Sequence, residues 1–200
     1  MIAGTFILRS KTDVDEDSGL VILARRDREA FVQLYRRHYD VIFRYCVHRL
    51  FDRAAAEDVA SEVFLKMVEN LHRFKGTESQ FRNWLYRIAT NAVNNHLRKT
   101  NRRKSLLKTA FEQANDQTAD CEESSKKLVL LREAMLALKP RYQTIITLRF
   151  FENMKLNEIA EVLGGSPGTV RSQLARALAR LRKKLAAELT EKSEVGENER

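Results

Sequence analysis

Along the first hundred residues apolar side chains recur at steps of three and four rather than two, the spacing of one helical face. Phe31, Leu34, Tyr35, Tyr39, Ile42, Phe43, Cys46, Val47 and Leu50 form one such stripe. Asp27 stands where it can cap this helix, with Glu29 in the first turn, where the helix dipole favours an anion. Leu20, Val21 and Leu23 open a shorter helix ahead of it. Asp52 can cap a second helix over 54–71, with Val59, Val63, Phe64, Met67, Val68 and Leu71 inward and Glu57, Asp58, Ser61, Glu62 and Glu69 outward. A loop, 73–80, leads to a third helix whose buried stripe is Phe81, Trp84, Leu85, Ile88, Ala89, Ala92 and Leu97. Arg82, Arg87, Asn91, Asn94, Asn95 and Arg98 fall on its other side. Residues 20–100 therefore predict one three-helix bundle.

The period then lapses. Residues 101–124 switch from basic to acidic without a sustained apolar repeat, as a linker does. A second helical bundle is predicted over 125–187: Lys126 to Lys139, stopped by Pro140; Arg141 to Phe151; Asn157 to Leu163; and Pro167 to about Ala187. Between the last two, Gly164-Gly165 accommodates a left-handed turn, Ser166 caps, and Pro167 takes a first helical position where a missing N–H is harmless. That is a helix-turn-helix. In its second helix Val170, Leu174, Ala177, Leu178, Leu181 and Leu185 lie within about 100° of one another. Arg171, Ser172, Ala175, Arg176 and Ala179 lie opposite, with alanines small enough for close approach to base edges and arginines able to reach guanines or phosphates. Residues 1–19 and 188–200 read as a disordered tail and an acidic tail. The fold class expected is all-α: two small helical bundles joined by a flexible linker, the second with the helix-turn-helix.

Charge sharpens this picture. The 200-residue chain carries a formal +9, unevenly placed. Five cations fall within Arg98–Lys104, five carboxylates and no cation within Phe111–Glu123, and six cations and no acid within Ser166–Lys184. A polyanion would meet two separate positive surfaces. Two cysteines in unrelated contexts make no disulfide framework and suit a reducing cytoplasm. No apolar run approaches the roughly 18 residues of a membrane span, so no membrane association is expected.

Catalytic chemistry finds little purchase. The four histidines (38, 48, 72 and 96) are scattered, and neither a phosphate-cradling glycine loop nor a nucleophile–base pair is visible. Cys46 and His48, two apart on a helix, point about 200° from each other and cannot share a metal. No enzyme activity, metal or cofactor is expected.

The whole arrangement resembles the extracytoplasmic-function (ECF) group of bacterial RNA polymerase sigma factors. The resemblance runs from about residue 20 to 186 and rests on Arg28–Tyr39, Ala56–Leu65, Phe74-Lys-Gly, Phe81–Asn91 with Leu97-Arg98, Leu148-Arg149, Glu158–Ala160, Gly168–Ser172 and the arginine-rich helix. It implies a monomeric partner of core RNA polymerase that reads promoter DNA, the −35 element as duplex and the −10 element as single strand. In many members an anti-sigma factor is a further partner. Carried over position by position, Asp58, Ser61 and Glu62 match the surface that binds core polymerase. Phe74, Lys75, Gly76, Asn91 and Asn95 match elements that capture an unpaired −10 base, with Arg98, Lys99, Arg102 and Arg103 tracking phosphates. Arg149, Thr169, Arg171, Ser172 and Arg176 match positions that contact the −35 duplex. Four positions depart from the family pattern: Lys155 stands where a Ser or Thr cap is usual, Pro140 lies one residue late, Ser61 replaces a frequent Gln, and Gln173 stands where Arg or Lys is common.

A stand-alone helix-turn-helix regulator is the rival reading. It accounts for 126–187 but leaves the first bundle, with its carboxylate face and amide-rich third helix, without a job.

Overall fold

The computed structural model describes residues 19–108 and 123–197, with side chains over 19–77, 79–102 and 128–186. Within them every regular element is helical. After a turn of helix at 19–23 come α1 (Arg28–Leu50), α2 (Arg53–Leu71) and α3 (Glu78–Lys108), then α4 (Glu123–Leu136), α5 (Pro140–Ile146), a π-helical turn (Thr147–Phe151), α6 (Leu156–Leu163) and α7 (Pro167–Glu197).

The caps act as their residue types dictate. Asp27 accepts from the Glu29 N–H at 2.9 Å and Asp52 from the Ala55 N–H at 3.0 Å, each satisfying a donor that the helix leaves open. Between α1 and α2 the chain reverses on a single non-glycine residue in the left-handed region, Phe51 at φ 53°. Its N–H closes α1 onto the Val47 carbonyl at 2.8 Å, and its ring packs on the small core of Met135, Leu138, Ile146 and Ala177. Burial of that ring offsets a backbone strain of about 1 kcal/mol or more.

The first module (α1–α3) closes around Leu34, Ile42, Tyr45, Met67, Phe81 and Leu85, all buried. Tyr45 satisfies its hydroxyl against Thr90 Oγ1 at 2.8 Å. Aromatic rings dominate one flank: Phe74, Phe81 and Trp84 meet pairwise at 5.2–5.5 Å between centroids. Val68, expected inward, stands 51% exposed, because Met67 and Leu71 already fill the inner face of α2.

The second module (α4–α7) does not stand apart. Ile145, Leu148, Met154, Ile159, Ala160, Val162 and Val170 belong to the same continuous apolar core as the first module. Helices α3 and α6 pack directly on each other, as do α1 and the π turn.

Boundaries differ from the sequence expectation at several places. Helix α3 runs to Lys108, past the expected linker start at 101, since nothing from Asn101 to Lys108 is a proline or glycine to stop it. Residues 109–122 of that linker, and 1–18 of the expected N-terminal tail, lie outside the described residues. Helix α7 likewise continues to Glu197, because the acidic stretch after Ala186 holds good helix formers and no proline. Helix α4 ends at Leu136, and Lys139, in front of Pro140, takes an extended ψ of 143°. The single helix expected over 141–151 instead widens into a π turn after Ile146. That widening places Arg149 outward and Glu152 inward.

Candidate nucleic-acid interface

The turn of the helix-turn-helix is built as its residues require. Gly164 adopts φ 65°, and the Gly165 N–H returns to the Ala160 carbonyl at 2.9 Å. Ser166 Oγ accepts from the Thr169 N–H at 3.2 Å. At the start of α6, Lys155 has no side-chain acceptor to offer; the Glu158 carboxylate takes over by accepting from the Lys155 N–H at 2.6 Å. Val170 and Ala177 are buried, while Thr169, Arg171, Ser172, Ala175, Arg176 and Ala179 are exposed. The face expected to meet DNA is thus open. Arg149 is exposed too, but its guanidinium donates to the Met154 carbonyl at 2.9 Å, which holds it beside the start of α6.

The loop before α3 forms a compact turn against an aromatic wall. A Cβ at Gly76 would sit 2.7 Å from Gln80 Oε1 and 2.9 Å from the Phe74 ring, so this turn admits glycine alone without rearrangement. Gln80 Oε1 accepts from the Thr77 N–H at 2.9 Å. Phe74, Trp84, Ile88, Asn91, Asn70, Arg73 and Lys66 line a cavity of about 300 Å³, room enough for a planar base with an aromatic floor and amide edges. A second groove, about 620 Å³, brings Lys75 and Gln80 together with Asn83, Arg87 and, from α6, Glu161. Asn95 and Arg98 lie farther along α3, where Arg98 donates to Asn95 Oδ1. With Asn91 they line a third cavity of about 660 Å³ whose opposite wall is Arg141, Val162 and Gly164. Lys99 and Arg102 are exposed beyond it, and the side chain of Arg103 lies outside the described residues. The expected −10 residues therefore divide between a base-sized pocket and a cleft shared with the second module.

On α2, Asp58 and Ser61 are exposed, and Glu62 is half-buried and paired with Lys66 at 2.5 Å. Leu65, 61% exposed, and Val68 continue the same row at helical spacing. Sequence reasoning missed these two because apolar residues read as core. It also missed Arg49 and Glu152, charged side chains of which only 1% is exposed. Arg49 donates to Gln143 Oε1 at 2.6 Å and to Asn94 Oδ1 at 3.0 Å. Glu152 accepts from the Tyr86 hydroxyl at 2.7 Å and lies 3.9 Å from Arg44 and 3.7 Å from His48. Burial, followed by the Glu152 charge, pushes the Tyr86 phenol well above its ordinary range, so it stays a donor. No periodicity signals such partners, since each pair joins residues far apart in sequence.

Among the described residues no cluster of three or more His, Cys, Asp or Glu could hold a metal. No helix among them is long and apolar enough to cross a membrane.

Two helical modules, the second ending in a helix-turn-helix with an open arginine face, define the class by fold. Two family models match: sigma-70 region 2 over residues 34–103 and sigma-70 region 4 over residues 128–181. The chain is 30% identical over 168 residues to the RNA polymerase sigma factor YlaC of Bacillus subtilis, covering 80% of this chain and 94% of that protein. It is 31% identical over 161 residues to the ECF RNA polymerase sigma factor BldN of Streptomyces coelicolor, covering 78% of this chain and 61% of that longer protein. The solved structure of CnrH, in complex with the cytosolic domain of CnrY, has the same fold: TM-score 0.64 at 24% identity, covering 86% of this chain and 97% of that one. The chain belongs to the bacterial RNA polymerase sigma factors, in the extracytoplasmic-function group. Matching both modules, rather than the helix-turn-helix alone, decides against a stand-alone regulator.

Proposed function

We propose that this sigma factor brings core RNA polymerase to promoters with its two modules dividing the work. Module one spans about 20–100 and module two about 125–187. Helix α2 docks the polymerase with Asp58, Ser61 and Glu62, and the exposed Leu65 and Val68 supply the apolar area that a carboxylate row alone lacks. The α3 pocket of Phe74, Trp84 and Asn91 takes an unpaired −10 base, while Lys75, Arg98, Lys99, Arg102 and Arg103 follow its phosphates. Helix α7 enters the −35 major groove with Thr169, Arg171, Ser172 and Arg176, and Arg149 holds a phosphate beside it. The chain performs no chemistry of its own and acts as a monomer in the cytoplasm. The sigma factor RpoE of Bartonella quintana was solved with the anti-sigma factor NepR, and an anti-sigma factor belongs to the same reading as this chain's regulator.

One observation carries the proposal: a base-sized aromatic pocket and an open arginine face occur on two modules that match sigma regions 2 and 4 in that order. Purified core polymerase mixed with the chain should start transcription at a specific subset of genomic sites, mapped by sequencing transcript 5′ ends. Failure to initiate at any site overturns it.

A further inference from the structure

Ahead of α1 the chain makes one helical turn that is short but anchored. Val21 and Ala24 are buried in the first module's core, and the Ala24 and Asp27 N–H groups donate to the Leu20 and Leu23 carbonyls at 2.9 Å. Arg25, next to Ala24, donates from its guanidinium to the Phe74 carbonyl, 49 residues on, in the loop before α3. The Phe74 N–H donates to the Leu71 carbonyl at 3.2 Å, so both polar groups of the Phe74 backbone are held. A charged donor makes one of the stronger hydrogen bonds to a carbonyl, and the planar guanidinium fixes its direction.

What this bond holds is a wall of the base-sized pocket. The Phe74 ring meets Trp84 at 5.2 Å and Phe81 at 5.4 Å between centroids, and only 8% of the residue is exposed. The ring has little room to adjust alone, since a Cβ at Gly76 would stand 2.9 Å from it. The backbone therefore sets where the ring lies, and Arg25 holds the backbone. Phe74 lines the pocket and Arg25 does not, so Arg25 acts through Phe74 rather than on a bound base.

We infer that Arg25 is a positioning residue for −10 capture: by fixing the Phe74 peptide it places the aromatic wall on which an unpaired base stacks. The turn ahead of α1 thereby belongs to the single-strand apparatus. A ring already in place spares the base the cost of ordering it. This inference rests on the proposed role of the Phe74, Trp84 and Asn91 pocket.

The chain supplies its own reporter, because Trp84 is its single tryptophan and lines the pocket. Only first-module residues line that pocket, so the full chain presents it without polymerase. An unlabelled oligodeoxythymidine 20-mer should quench Trp84 emission, and Arg25→Ala should weaken that binding about fivefold. The slope of log affinity against log salt should not change, whereas loss of a phosphate contact would lower it by about 0.7. With Phe74→Leu already present, Arg25→Ala should cost less than about twofold, since the group it acts through is gone. Affinity for a fluorescein-labelled duplex 20-mer of random sequence, read by anisotropy, should likewise change less than about twofold in Arg25→Ala. An unchanged single-strand affinity, a lowered salt slope, an undiminished cost beside Phe74→Leu or an equal loss on the duplex each overturns the role of Arg25 and leaves the pocket standing. If Trp84 emission of the unsubstituted chain ignores the oligomer, the pocket itself is overturned, and the inference with it.

Discussion

Helices α3 and α7 make an instructive pair. Each is long and amphipathic and carries arginines with small polar residues on the side away from its own core. Yet the N-terminal half of α3 is engaged, with Arg82, Asn83 and Tyr86 bonded to Glu158, Glu161 and Glu152 of the second module, while Arg87, Asn91 and Arg98 stay exposed. The corresponding side of α7 stays open. Equal amphipathicity thus does not mean equal availability. The difference follows from the partners: α6 and the π turn bring carboxylates to α3, whereas the stretch Ser166–Lys184 contains no acid.

The comparison breaks first if the modules can be uncoupled from polymerase. Reversing both Asp58 and Glu62 to Arg should abolish co-purification with core polymerase, since a carboxylate row turned cationic repels where it attracted. Duplex binding by α7 should survive. Unchanged co-purification would remove α2 from the docking surface.

Next in size comes the open helix. Arg171→Ala and Arg176→Ala should each weaken binding to the cognate −35 duplex by about 1–3 kcal/mol if they read bases. Titrations on a scrambled duplex distinguish the roles: an equal loss there means phosphate contacts only. Asn91→Ala, on α3, should reduce promoter opening by about 1 kcal/mol, one hydrogen bond's net contribution. Permanganate footprinting measures it, with closed-duplex binding intact. A loss of duplex binding in that variant would contradict the division of labour between α3 and α7.

How much of this was legible in the sequence depends on range. Local chemistry read through cleanly: Asp27, Asp52 and Ser166 cap, Gly164 turns left-handed, and Val170 and Ala177 face inward. Helix ends were less legible, because propagation past Asn101 or Ala186 depends on the absence of a stop signal rather than on a positive one. Long-range polar pairs were invisible. Arg49 sits at a position that reads as a surface cation, and only the arrival of Gln143, 94 residues later, makes it a buried one. Glu152 is buried in the same way, by Tyr86, 66 residues earlier. The pocket of Phe74, Trp84 and Asn91 was readable only in part, since periodicity assigned Trp84 to the core while the structure also gives it a cavity wall.

The smallest effect is read by titration of the first module. Cys46, in the first module, has its thiol pushed up to about 12 by burial, with nearby Arg49 opposing and Glu152 reinforcing the shift. Burial likewise raises the phenols of Tyr45 and Tyr86. A group whose folded pKa lies above its unfolded value holds its proton longer when folded, so its contribution is whole below the unfolded pKa and falls as pH rises toward the folded one. For Cys46 that window opens near 9 and closes near 12. Stability should therefore be flat from pH 7 to 8 and lower by about 0.8 kcal/mol at pH 9.5 from this thiol alone. Urea midpoints at pH 7.5 and 9.5 measure the difference, and Cys46→Ala should shrink it whatever that substitution does to absolute stability. Tyr86 adds a coupling between the modules, because its phenolate would face Glu152 at the shared contact. That loss begins only above pH 10, after the Cys46 window has opened. If the pH dependence is unchanged by Cys46→Ala and Tyr86→Phe together, the alkaline sensitivity lies elsewhere.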